Sequence, residues 1–268
     1  MLAFRRILIL LTLSLFSFGI YAKKYNSKKE SVSVLEQKKE VKNSNDFKYV
    51  IFDISNVFWE KTLYEILMSL KKKIHIPFSG YVDLLECGVS YAFGNLDAKK
   101  GYETLFKHMK KMPQADVAAK CNLIWEQDCK NYIYEDADRL FKKYKSEGKI
   151  LIAVDAGISE LYTEFLKIYK FDYIFVSKME YKDGVSTGKL DGEPCSNKYK
   201  YEIIKNLIEN KLHGSLKEAI FYANSHNDIP LLEHVGKPIT VNPNKKLLKK
   251  AKKENWPIIE FKKLLKSN

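Results

Sequence analysis

Five short, uninterrupted apolar runs, each parted from the next by an amphipathic stretch, constrain this chain more than any other feature: residues 49–52, 150–154, 173–176, 219–222 and 238–241. A half-buried strand alternates apolar and polar residues, whereas a run that is apolar throughout needs cover on both faces. Runs of that kind joined by helical segments predict a doubly wound α/β core, a mostly parallel sheet with helices on each side.

The first two runs are separated by residues 56–149, which read as largely helical through TLYEILMSLKKK, AKKGYETLFKHMKKM, ADVAAKCNLIWEQDCKNYI and EDADRLFKKYKSEG. A crossover of that length is an insertion. Open α/β sheets bind ligands beyond the C-terminal ends of their strands, so the insertion is expected to be a helical cap over that end. The domain plan is an α/β core over residues 47–59 and 146–268, with the cap at 60–145. Ahead of it, Arg5 and Arg6 precede an uncharged run of sixteen residues, 7–22. A spanning helix needs about 20, which favours a signal peptide. Ile20 stands where cleavage prefers a small residue, so an uncleaved membrane anchor stays open. The expected localisation is exported (periplasmic or secreted), or anchored to the membrane by residues 1–22. Residues 23–46, polar and lysine-rich, read as a flexible linker.

The formal net charge of +13 sits at the ends: nine Lys/Arg face four acids in residues 1–46, and nine Lys face two Glu in residues 244–268. The middle is nearly neutral, so no nucleic-acid partner is expected. Membrane association through residues 1–22 or the basic C-terminal helix KKLLKKAKKENW is the partner that the charged ends suggest. Cys87, Cys121, Cys129 and Cys195 form neither a CxxC pair nor a Cys/His cluster, so buried thiols are expected rather than a zinc site.

In such a sheet the residues just past the strands converge on one crevice. Here they are Asp53, Asp155, Asn224 and Asp228, with Lys198 and Lys200 available as counter-charges and His226 beside them. In order and spacing, residues 47–261 resemble the haloacid dehalogenase superfamily, in its phosphoserine-phosphatase-like branch with a helical cap. KYVIFDIS resembles the nucleophile strand and GKILIAVDAG the second-motif strand. FDYIFVSKMEYKDGVSTGKLDGEPCSNKYKYEII resembles the hairpin and lysine segment, and AIFYANSHNDIPLLEHVGKPITVNPN the metal-motif strand.

The resemblance implies hydrolysis of a small phosphorylated molecule, a phosphomonoester, through an aspartyl-phosphate. Asp53 would be the nucleophile and Ser55 would stand at the second catalytic position. Asp155 and Lys200 would occupy the phosphate-binding positions. Mg2+ would be held by Asp53, Asn224 and Asp228.

Three of these positions depart from the family. Ser55 replaces an acid/base aspartate, a loss typically costing about 10²–10⁴ in rate. Asp155 replaces a phosphate-binding hydroxyl and sets a like charge against the phosphate. Asn224 replaces a carboxylate and lowers the charge that attracts Mg2+. Two functions follow: a phosphohydrolase with altered helpers, or a catalytically degenerate member serving as a binding or interaction module. Substrate selection is expected in the cap, where Trp59, Trp125, Tyr132 and Tyr134 are candidates, although aromatic residues at helical spacing are more often core than pocket.

Overall fold

The computed structural model describes residues 47–73 and 98–265. Its centre is a six-stranded, wholly parallel sheet in the order β3-β2-β1-β6-β7-β8. The strands are β1 (Tyr49–Asp53), β2 (Ile150–Ile158), β3 (Tyr173–Ser177), β6 (Ala219–Ala223), β7 (Lys237–Val241) and β8 (Ile258–Ile259). A separate antiparallel hairpin joins β4 (Met179–Lys182) to β5 (Val185–Leu190). The chain builds outward from β1 to β2 and β3, then returns to β6 on the other side. The crevice opens where the winding reverses, at the C-terminal ends of β1, β2 and β6.

Every residue of β1 is buried because the strand feeds two cores. Val50 and Phe52 point into one, with Phe58, Phe141, Phe165, Tyr169 and Phe171. Tyr49 and Ile51 point into the other, with Ile204, Leu207, Leu216 and Leu247. This two-sided cover is what an unbroken apolar strand requires, and the doubly wound expectation holds.

Helices α1 (Leu63–Lys73), α2 (Ala98–Phe106) and α3 (Gln114–Ile124) belong to the inserted region. It is fastened on two sides. At its neck, Tyr134 N–H donates to Phe58 O (2.9 Å) and Glu60 N–H to Tyr132 O (2.9 Å), so its two connections pair with each other. Farther out, Lys111 N–H donates to Ser186 O (2.7 Å), Ser186 N–H to Met112 O (2.9 Å) and Gln114 N–H to Gly184 O (2.9 Å), tying it to the hairpin. Gly188, at φ +79°, permits this approach: a Cβ there would lie 3.0 Å from Lys107 Cα and 3.1 Å from Phe106 O.

Helix α4 (Glu135–Ser146) carries acids in its first turn and lysines in its last, matching the helix dipole. It packs on β2, and its Tyr144 hydroxyl meets that of Tyr222 on β6 at 2.8 Å. We propose on this ground that the cap ends before Glu135, inside the 60–145 interval. The remaining helices are α5 (Thr163–Ile168), α6 (Asn197–Lys205), α7 (Ile229–Leu232) and α8 (Lys245–Glu254).

The expectation of membrane anchoring is corrected as far as the described residues go: none of their helices is long and apolar enough to cross a membrane. The basic helix α8 fails for a local reason. Leu247 and Ala251 are buried, so the apolar stripe that would meet a bilayer already packs against the core. The expected signal or anchor at 1–22 and the linker at 23–46 lie outside the described residues.

Candidate active site

Asp53 is the last residue of β1, and its Oδ1 accepts from Ile54 N–H at 3.2 Å. Lys200, in the first turn of α6, donates from Nζ to Asp53 Oδ1 (3.2 Å) and Asp228 Oδ1 (2.6 Å). The other Asp228 oxygen accepts from Ser225 N–H at 3.2 Å, within a capping box that fixes the turn after β6. Asp53, Asp155, Lys200 and Asp228 are 5, 1, 3 and 1 % exposed. Four ionisable groups thus share a nearly dry site, with three carboxyl groups to one amine. Burial, then Asp228, raises the Asp53 pKa well above the usual carboxylate range, with Asp155 adding to the shift and Lys200 opposing it. Burial also works against the Lys200 charge, but Asp228, Asp53 and Asp155 outweigh it and hold that pKa well above the ordinary lysine value.

Asp155 does not sit just past a finished strand, as the apolar run ending at Val154 suggests. Strand β2 continues to Ile158 through a bulge: Val154 pairs with Phe175 and Ile158 with Ser177, leaving extra residues on β2. A bulge re-aims side chains, and this one turns Asp155 toward the tip of β1. Its Oδ2 accepts from Ser55 N–H at 2.6 Å and its Oδ1 from Gly157 N–H at 3.0 Å. Ser177 braces the bulge, donating to Ala156 O (2.8 Å) and accepting from Cys195 N–H (2.9 Å), which also ties it to the segment leading to Lys200.

The other candidates separate. The Ser55 hydroxyl is buried without a hydrogen-bond partner. Asn224 follows β6, half-buried, its carbonyl accepting from Asn244 N–H at 2.9 Å. Lys198 is exposed and pairs with Glu202 at 3.3 Å, away from the site. His226 lies 3.0 Å from Asn244 Nδ2, and burial followed by Lys246 lowers its pKa, so it is neutral and a poor proton donor at neutral pH. Of the cap aromatics, Trp59, Trp125 and Tyr134 are buried in ring clusters, with Trp59 stacked on Tyr162 at 5.8 Å and Tyr134 edge-on to Phe261 at 6.0 Å. Tyr132 is half-buried beneath the Lys61 ammonium.

Two tyrosines that sequence reasoning missed stand in this field instead. The hydroxyl end of Tyr102, on α2, is raised in pKa by burial and then by Asp155, with Lys200, Cys195 and Asp53 also acting on it. The Tyr162 hydroxyl is buried without a well-formed hydrogen bond, although Asp155 is near enough to help burial raise its pKa. It hangs over Gly157, where a Cβ would lie 2.2 Å from the phenol oxygen. Gly157 was the available signal, a small residue two positions beyond a candidate aspartate.

The fit of a divalent cation can be tested on the donors. Among the described residues no group of three or more His, Cys, Asp or Glu side chains is arranged to hold a metal ion. Asp53 and Asp228 each already give an oxygen to the Lys200 ammonium. The arrangement fits Mg2+ poorly, in keeping with a weakened or absent site.

A buried aspartate at the tip of the first strand, a buried lysine beside it and a sheet with an inserted helical region define a class, and comparison with known proteins places the chain in it. The haloacid dehalogenase-like hydrolase family matches residues 58–233, and the chain belongs to that family. Within it the chain falls in the phosphoserine-phosphatase-like branch with a helical cap. A histidinol-phosphatase from Neisseria meningitidis serogroup C is 27% identical over 126 residues, 46% of this chain and 57% of that protein. The crystal structure of a protein of unknown function from Bordetella pertussis Tohama I superposes with a TM-score of 0.69 at 20% identity, covering 80% of this chain and 98% of the other. A phosphoserine phosphatase carrying a phospho-aspartyl intermediate analogue gives 0.62 at 18% identity, covering 81% and 94%. The chain spans about half the length of the curated relatives it matches. Fold and relatives together support phosphatase chemistry of this family in general.

Proposed function

We propose that the crevice is a phosphoryl-transfer site for a small phosphomonoester, with Asp53 as the nucleophile. The observation that carries the reading is the Lys200 ammonium, buried and 3.2 Å from Asp53 Oδ1 at the strand tip. A carboxylate reaches an anionic phosphorus only where fixed positive charge screens the approach, and a dry site makes that charge count. An Asp53 oxygen would form a bond to phosphorus as the ester P–O bond breaks, and the departing alkoxide would take up a proton. Water would then attack the aspartyl-phosphate, releasing phosphate and restoring the carboxylate. Ser55, at the acid/base position, has no acidic proton to give, so departure depends on the leaving group's own acidity. Mg2+, if used, would be held by Asp53, Asn224 and Asp228, and weakly.

A second reading, the degenerate binding module, is favoured by one observation: Asp155 fills the backbone amides of Ser55 and Gly157. A panel of phosphomonoesters spanning leaving-group pKa, assayed on the full chain with and without Mg2+, separates the two. Under the first reading turnover rises steeply as the leaving group becomes more acidic and disappears in Asp53→Asn. Turnover that survives Asp53→Asn would sink the nucleophile assignment. No turnover with any ester, even on restoring Ser55→Asp, Asp155→Ser and Asn224→Asp singly, would favour the second.

A further inference from the structure

We propose that Asp155 is the site's own anion, a specificity-determining residue whose carboxylate occupies the amide cradle a phosphoryl group would need. The inference rests on the phosphoryl-transfer reading of the crevice. Its two oxygens accept separately from Ser55 N–H at 2.6 Å, just past β1, and from Gly157 N–H at 3.0 Å, within its own bulge in β2. Convergent backbone N–H groups of this kind form an anion-binding concavity, and two oxygens of a phosphoryl group would take them much as a carboxylate does.

Two further observations mark the place as built for an anion. The Tyr162 and Ser55 hydroxyls, on residues 1 and 5 % exposed, are buried there without a well-formed hydrogen bond, and Tyr162 lies close enough to Asp155 to feel its charge. Both have a proton that no described group accepts in a well-formed hydrogen bond. Lys200 closes the other side, held by Asp53 and Asp228. Donors therefore surround the position from several directions, and the chain has supplied the acceptor itself. The bulge in β2 and the Ser177 brace hold that acceptor in register.

A phosphate ester entering this crevice must expel Asp155 from two amides or bind beside a like charge. The residue thus sets a threshold that a phosphate dianion must overcome to bind.

The test is calorimetric titration of the full chain with inorganic phosphate, for the wild type, Asp155→Ser and Asp155→Asn. Amide shifts of Ser55 and Gly157 are followed by NMR, and turnover of para-nitrophenyl phosphate is measured in parallel. Asp155→Ser should bind phosphate roughly ten- to a hundredfold more tightly, the worth of one or two charge-assisted hydrogen bonds, and phosphate should move both amide signals. Equal affinity in a folded Asp155→Ser chain overturns the proposal, and so does tighter binding that leaves both amides unmoved. Should Asp155→Ser not fold, Asp155→Asn keeps the shape without the charge. It must also bind phosphate more tightly, and unchanged affinity there is equally fatal. The two readings fail separately. Tighter phosphate binding without turnover in any variant removes Asp53 as a nucleophile and leaves Asp155 as the internal anion. Wild-type turnover that Asp155→Ser neither speeds nor tightens does the reverse.

Discussion

Three buried carboxyl groups share one buried ammonium at the tip of β1, and that imbalance decides how single substitutions behave. Lys200 is the group the others depend on. Lys200→Met leaves Asp53 and Asp228 buried without their cation, so urea denaturation should show a loss of about 3–5 kcal/mol. Asp53 behaves oppositely, because its raised pKa means that the folded chain favours its neutral form. That contribution is fully present below the ordinary carboxylate value and is lost as pH rises through the raised one. Asn is neutral throughout, so Asp53→Asn should gain stability relative to the wild type as pH rises above the ordinary carboxylate value of about 4. Melting curves across that range test the sign, and a constant or shrinking difference refutes it. Lys200 was legible in the sequence because its place in a spaced segment could be counted. The orientation of Asp155 was not, since side-chain type says nothing of a bulge that turns it onto two amides a hundred residues apart in origin.

At the scale of elements, the central strands were legible because each is an unbroken apolar run needing two-sided cover. Strand β8 escaped, since two residues at a sheet edge bury too little to leave a pattern. The prolongation of β2 escaped because backbone pairing, not apolar side chains, carries it to Ile158. Trp59, Trp125 and Tyr134 take the commoner role of aromatics at helical spacing, that of core, because ring clusters and pocket walls use the same residues at the same spacing. Attachment of the cap to the hairpin rests on close backbone approach, and Gly188 tests it. Gly188→Ala combines a positive φ with a Cβ pressed on the end of α2, and should cost about 1–2 kcal/mol. Hydrogen exchange should report that loss first at the Lys111, Gln114 and Ser186 amides, and uniform loss across the sheet would contradict the assignment.

For the molecule as a whole, two cores on opposite faces of one sheet hold the three described cysteines, Cys121, Cys129 and Cys195, free and buried. Burial pushes the Cys129 and Cys195 thiols up to about 12, so the reactive thiolate is scarce near neutral pH. Their alkylation at about pH 8 should therefore keep pace with unfolding and accelerate with added urea. Rapid modification of the native chain would contradict that burial.

The inserted region is fastened at its neck by paired connections and again by backbone bonds to the hairpin. A panel clamped along two borders behaves as a roof rather than a door. If the crevice works as proposed, substrates would enter and leave without the roof swinging aside.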